Sequence, residues 1–323
     1  MTQYILRRLF LTIPILLGIT LIDFALINLA PGDPIDAMID PTMAVGVAMQ
    51  EELREKMGLN QPLPVRYGIW LREMVSGNMG YSYVKNVPVA ERIKDRLGPT
   101  LLLTASALLF SVLVGIPLGI LSALRQYSWL DYLLTFFAFA GISMPSFFLA
   151  LGGIYLFALK LDLLPPFGMV SLRTELPYAV DVLYHLILPA TILGLSSTGS
   201  LMRFARTSLL EVVGMEYITT ARAKGLKERI IVTGHALRNA LIPLITVLGL
   251  RIPGLFGGSV IIESVFSWPG IGLLAIESIT DRDYPQIMGL LFVSAIIILA
   301  ANLITDILYA YADPRIRYEE NPS

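Results

Sequence analysis

The sequence predicts an all-α integral membrane protein with six transmembrane helices and an external helical segment between the first and second. Three observations carry this. Hydrophobic residues make up 55% of the 323-residue chain and charged residues only 15%. Mean hydropathy is +0.69. Several apolar runs also exceed the roughly 18–20 residues needed to cross about 30 Å of hydrocarbon.

The first span is expected near 9–30, after Arg7 and Arg8. Its basic start and apolar core imitate a signal peptide, but it is too long for one and lacks a small-x-small cleavage site. Pro31-Gly32-Asp33-Pro34 stops it and opens an extracytoplasmic segment, 31–98. Helices are expected there near 43–57, ending at Gly58, and near 65–76, ending at Gly77, with a short third from Ala90 to Leu97. Leu53, Met57, Tyr67, Trp70 and Leu71 suit a small apolar cluster on the membrane surface. Two roles for this segment stay open: a structural cap, or contact with an external partner or substrate. The membrane core, 99–310, holds spans near 99–124, 133–159, 186–204, 240–262 and 286–310, and a tail runs over 311–323.

Orientation follows from Lys and Arg in short loops. Arg7, Arg8, Arg125, Arg315 and Arg317 share a side with Arg206, Arg222, Lys224, Lys227, Arg229 and Arg238 of the polar insert 205–242. The opposite loops hold only Arg173 and Arg282 among Asp162, Glu175, Asp181, Glu263, Asp281 and Asp283. Both termini and the insert are therefore expected in the cytoplasm.

Composition excludes several chemistries. Net charge is −1, which gives no basic field for nucleic acid. No cysteine is present, so disulfides and thiolate metal sites are excluded. His185 and His235 are too few and too far apart in sequence to suggest a metal centre; His185 reads as a structural interface residue. No GxxxxGK[ST], HExxH or GxSxG occurs, so neither a nucleotide site nor another cofactor or catalytic residue is expected.

Two charges lie at membrane depth: Asp23 in the first span and Arg251 near the middle of the fifth. A charge there costs a few kcal/mol unless it meets protein or water. At 1.5 Å per residue the two reach similar depths. Either they pair, or Arg251 lines a path while Asp23 is neutral or paired elsewhere. Glu263 and Asp306 lie near span ends, where a side chain reaches water. In the third span Met144-Pro145 suggests a kink.

The insert 205–242 is the main functional clue. It is polar and basic, yet Ile230, Gly234, Leu237 and Leu241 recur at helical spacing, with Gly225 and Pro243 as breakers. An ordered, small-residue, cationic loop is a docking surface; attraction to anionic lipid alone would not require that punctuation.

These blocks resemble the inner-membrane permease subunits of ABC-type peptide importers, the dipeptide, oligopeptide and nickel permeases. The resemblance spans YILRRLFLTIPILLGITLIDFALINLAPGDP (4–34), GLNQPLPVRYGIWL (58–71), GNMGYSY (77–83), GISMPSFF (141–148), EYITTARAKGL (216–226), HALRNALIP (235–243), ESVFSWPGIG (263–272), RDYP (282–285) and ADPRIR (312–317). It implies the type I ABC importer permease fold. The insert is then the loop whose short coupling helix enters a groove of a separate ATPase. Carried over, that motif covers Glu216, Thr220, Ala221, Arg222, Ala223, Lys224 and Gly225, closing at Pro243. It lacks the Glu-Ala-Ala head and has Thr-Ala-Arg instead. Arg251 departs from the uncharged residue expected there.

The resemblance further implies two ATP-hydrolysing subunits, a second homologous permease, an extracytoplasmic binding protein and surrounding membrane lipid as partners. The translocation path is expected to involve Arg251, Asp23, Met144 and Pro145. Three other classes fit less well. A secondary transporter needs internal repeats and helices broken at the midplane. An intramembrane enzyme needs a nucleophile and base or metal ligands at depth. A scaffold needs no coupling loop. Cargo among peptides and nickel stays open.

Overall fold

The computed structural model describes residues 2–29, 51–52, 54–55, 59–171 and 176–312. Of the expected helix near 43–57 only 51–52 and 54–55 are described, as helical; its other residues, with Leu53 and Met57, the 31–34 stop, Arg173, Glu175, Arg315 and Arg317 lie outside the described residues. Among the described residues five helices are long and apolar enough to cross a membrane, or six if one bent pair counts as a span. The chain divides into two compact units, 1–99 with 270–323, and 100–269.

In the first unit, α1 (Thr2–Leu29) packs along α11 (Tyr284–Ala312). Arg8 and Asp306 pair across them at 3.0 Å, so Asp306 finds a cation rather than only water. Helix α2 (Leu63–Val75) starts at a proline, whose fixed φ suits the first turn. It stops where Gly77 takes φ +86°. Its Tyr67 and Trp70 do not lie free on a membrane surface. They stack on Phe24 of α1 at 5.5 and 5.8 Å, and Trp70 meets Phe292 of α11 at 6.1 Å.

The predicted short helix over 90–97 and the second span are one 36-residue helix, α3 (Val89–Leu124). It runs through Gly98 and Pro99. Proline leaves the Asp95 carbonyl without its helical donor, a loss made tolerable by the exposed position of Asp95. Val89 and Ile93 pack with Ile271 and Leu274 of α10 (Ile271–Thr280) and with Leu290 of α11. Close by, Asp283 accepts from the Ser82 hydroxyl and from Tyr83 N at 3.1 Å. Burial and the Asp283 carboxylate push the Tyr83 phenol up to about 12.

In the second unit the third span is α4 (Trp129–Ser143) and α5 (Ser146–Gly153), the latter continuing as a π-helical stretch, Ile154–Lys160. Together they bend by 103° at Met144-Pro145. The fourth span is α6 (Tyr178–Val213), 36 residues and far longer than 186–204. Its early charge is satisfied locally: Asp181 accepts from Ser171 N at 2.6 Å and from its hydroxyl at 3.0 Å. Buried His185 bonds the Asp181 carbonyl through Nδ1 at 2.9 Å, a structural role.

Helix α3 approaches α6 through glycines. A Cβ at Gly115 would stand 2.8 Å from the Thr198 carbonyl, and one at Gly119 2.7 Å from the Ala205 Cβ. Residues 115–119 read GIPLG, the small-xxx-small spacing that lets membrane helices close on each other.

The predicted fifth span, 240–262, is not one helix. α7 (Glu216–Ala223) precedes α8 (Glu228–Gly249), which ends well before 262. A 3-10 turn (Pro253–Leu255) and the short α9 (Val260–Val265) follow. Pro253-Gly254 and Gly257-Gly258 break the run, because proline lacks a donor and glycine resists helix. Glu263 does not reach water. It is fully buried and accepts from the Thr100 hydroxyl at 3.1 Å and from Ser259 N at 3.3 Å.

Candidate coupling and path site

Helix α7 has two turns and one apolar anchor. Ile218 is fully buried with Leu209, Ile231, Ala236, Ala240 and Ala123, and Ala221 packs partly against this cluster. Glu216, Thr220, Ala223 and Lys224 are exposed. Glu216 sits in the first turn, where a carboxylate favours the helix dipole. The Tyr217 hydroxyl accepts from Asn239 Nδ2 at 2.8 Å, a second tie to α8.

The C-terminus of α7 is a Schellman cap. Leu226 N donates to the Ala221 carbonyl at 3.4 Å and Gly225 N to that of Arg222 at 2.9 Å, with Gly225 at φ +75°. An L residue there is strained, although a Cβ would meet nothing within 4 Å. Across this turn Arg222 grips Glu228, the first residue of α8, in a bidentate pair at 3.2 and 2.7 Å. The pair raises the Arg222 pKa above its ordinary value. Both side chains are largely exposed, 41% and 60%, so solvent screens the pair and it contributes little to stability. Such a contact exchanges readily for another carboxylate.

The buried face of α8 differs from the one read in the sequence. Ile231, Ala236, Ala240 and Leu244 are buried, while Ile230 is 49% exposed and Gly234 is exposed. A π turn at Ile231–Ala236 is the cause: its five-residue step puts Ile231 and Ala236 on one face. Pro243, expected as a breaker, lies inside α8. Membrane helices accommodate it because neighbouring groups satisfy the carbonyl it frees.

Arg251 stands just past the end of α8, not mid-span. Its Nη1 donates to the Ser197 hydroxyl at 3.0 Å. It lines a cavity of about 420 Å³ with Arg203, Ser200, Thr207, Glu211 and Pro243. Met144, at the bend, lines a different cavity of about 550 Å³ with apolar walls such as Phe148 and Leu195. Asp23 is half-buried in α1 and belongs to the other unit. Sequence reading assigns Pro243 to the coupling motif and Arg251 to the path separately, and misses Arg203.

A further pair escaped it as well. Asp131 is buried at the start of α4, and Arg206 of α6 holds it in a fork, Nε at 3.0 Å and Nη2 at 2.8 Å. The Ser122 hydroxyl and Tyr127 N complete its shell. Asp131 just ahead of the third span and Arg206 at the start of the insert were the available signal.

The family described as "Binding-protein-dependent transport system inner membrane component" matches residues 115–318, and its N-terminal companion matches residues 1–104. The oligopeptide transport system permease protein AppB of Bacillus subtilis is 46% identical over 98% of this chain and all of its own. The dipeptide transport system permease protein DppB of Escherichia coli K12 is 36% identical over 99% of this chain and all of its own. A solved structure of the MetNI methionine ABC transporter in an inward-facing conformation superposes with TM-score 0.55 at 17% identity, covering 69% of this chain and 96% of that one.

Proposed function

The chain belongs to the binding-protein-dependent transport inner membrane components, and from that premise we propose that it is the permease subunit of a peptide importer driven by separate ATPases. The relatives named as oligopeptide and dipeptide permeases support peptide as cargo. Two ATP-hydrolysing subunits, a second related permease forming a heterodimer, and an extracytoplasmic binding protein complete the assembly. Exposed apolar side chains on α1, such as Phe10 and Leu21, meet lipid.

The observation that carries the reading is α7 itself. It is an exposed helix pinned at Ile218, tied by Tyr217 and closed by the Gly225 cap. A surface helix held rigidly at its back transmits a push from a partner to the helices behind it. Glu216, Thr220, Ala223 and Lys224 face the ATPase, with Ala221 and Gly225 setting the close approach. Arg222 exchanges Glu228 for an acidic group of that partner. The closure passes through Ile218 into α8, where Pro243 borders the path with Arg251 just beyond the helix end, and Met144-Pro145 shapes it elsewhere. Both termini and the insert lie in the cytoplasm. Arg251 favours a carboxylate-bearing solute over a bare metal cation such as Ni²⁺.

Co-expression with the neighbouring transporter genes tests this. The chain is expected to co-purify with an ATPase, and the assembly in proteoliposomes to take up peptide with ATP when the binding protein is loaded from a panel of peptides and Ni²⁺. Purification without an ATPase under all conditions would overturn it. Charge reversal decides the Asp23–Arg251 question. If Asp23→Arg with Arg251→Asp works no better than either alone, the two do not pair.

A further inference from the structure

Along α6 runs a row of polar side chains that the coupling reading does not use. Ser196, Ser200, Arg203, Thr207 and Glu211 follow at steps of four, three, four and four, within one narrow face of the helix. Ser196, Arg203, Thr207 and Glu211 are exposed and Ser200 is partly so. The exposed residues earlier on the same helix are apolar, for example Leu183 and Ile187. Those of α4 are mostly aromatic, as at Phe136 and Phe137. Ser196, Ser200 and Arg203 precede the polar insert that begins at 205, and hydrocarbon cannot satisfy hydroxyls and a guanidinium, so this part of the row faces water or protein; Thr207 and Glu211 carry the same face on into the insert.

Two arginines reach the cavity beside this row. Arg251 is held by the Ser197 hydroxyl, and the Arg203 guanidinium stands 5.5 Å from the centre of the Phe139 ring. Among the described residues neither forms an ion pair. Elsewhere the chain neutralises such groups closely: Arg206, three residues from Arg203, is forked on Asp131, and Arg222 on Glu228. Glu211 lines the same cavity but lies eight residues beyond Arg203, about 12 Å along the axis. These three side chains leave the lining with a net positive charge. The volume, about 420 Å³, suits a short peptide end.

Resting on the importer reading above, we propose that Arg203 and Arg251 form a carboxylate station in the path, taking the free C-terminal carboxylate of the passing peptide. Guanidinium forks match carboxylate geometry, and a partly dry wall strengthens that contact. The ring of Phe139 and the Ser197 hydroxyl hold the two groups extended and charged before the peptide arrives.

The test is ATP-driven uptake by the whole transporter in proteoliposomes, using a tripeptide and its C-terminal amide that the binding protein holds equally, both at saturation. The wild type is expected to move the acid about tenfold faster than the amide. Arg203→Gln and Arg251→Gln are each expected to close most of that gap by slowing the acid, and Arg203→Lys to keep part of it. An unchanged acid-to-amide ratio in both Gln variants overturns the proposal. So does an equal slowing of both peptides, which would mean that the arginines only pair with another subunit. No uptake of any peptide by the wild type, despite an assembled complex, would instead remove the importer reading and this station with it.

Discussion

Asp131 and Arg206 make a pair whose two halves are not equivalent. The Asp131 side chain is 4% exposed and that of Arg206 25%. Removing the arginine strands a buried carboxylate on one hydroxyl and one backbone N–H, whereas removing the aspartate leaves a guanidinium able to turn to water. Arg206→Met is therefore expected to destabilise the detergent-solubilised protein by about 3 kcal/mol, more than Asp131→Ala, with the double variant recovering part of the loss. Thermal unfolding of the purified variants measures this. Gly225 belongs to the same scale. Its φ of +75° is strained for an L side chain while space is open around it, so the penalty is in the backbone alone. Uptake and ATPase coupling are expected to fall in the order Gly225→Asn, Gly225→Ala, Gly225→Val, mildest first, with about 1–2 kcal/mol of cap strain for alanine. Equal activity in all three would show that the cap does not set the coupling geometry.

Among the elements, packing of α3 on α6 depends on having no side chain at Gly119. A Cβ there meets the Met202 carbonyl and the Ala205 Cβ at once, and both belong to a 36-residue helix that cannot yield locally. Gly119→Val is expected to lower stability by about 2–3 kcal/mol, while Gly152→Val, whose Cβ meets nothing within 4 Å, costs little. Parallel melting curves check the contrast. The elements also show how much the sequence made legible. Hydropathy located the five long apolar helices and the bent pair but not the shorter apolar helix Ile271–Thr280, and proline at 145 marked the bend in the third span. It did not reveal that α3 begins at Val89, because Gly98-Pro99 imitates a boundary that an exposed carbonyl tolerates. Nor did it place the core face of α8. One π turn shifts that face from Ile230 to Ile231, and helical periodicity assumes 3.6 residues per turn throughout.

For the whole molecule, topology is the property that a single sequence states most directly. The absence of cysteine makes it easy to test, since any engineered thiol is unique. A cysteine at Lys224 is expected to react with an impermeant maleimide only in inside-out vesicles, and one at Lys85 only in intact cells or spheroplasts; the reverse pattern would invert the orientation. The sequence by itself determined the helical membrane class and the family, because these depend on runs of hydropathy and on motif blocks whose order and spacing are written along the chain. Only the tertiary structure decided which charges are neutralised and which stay open. Arg206 and Arg203 are three residues apart on one helix, yet one is clasped by Asp131 and the other stands over Phe139 beside a cavity. Electrostatic partnership depends on distance in space, and residues separated by some seventy positions along the chain meet only after the helices have packed.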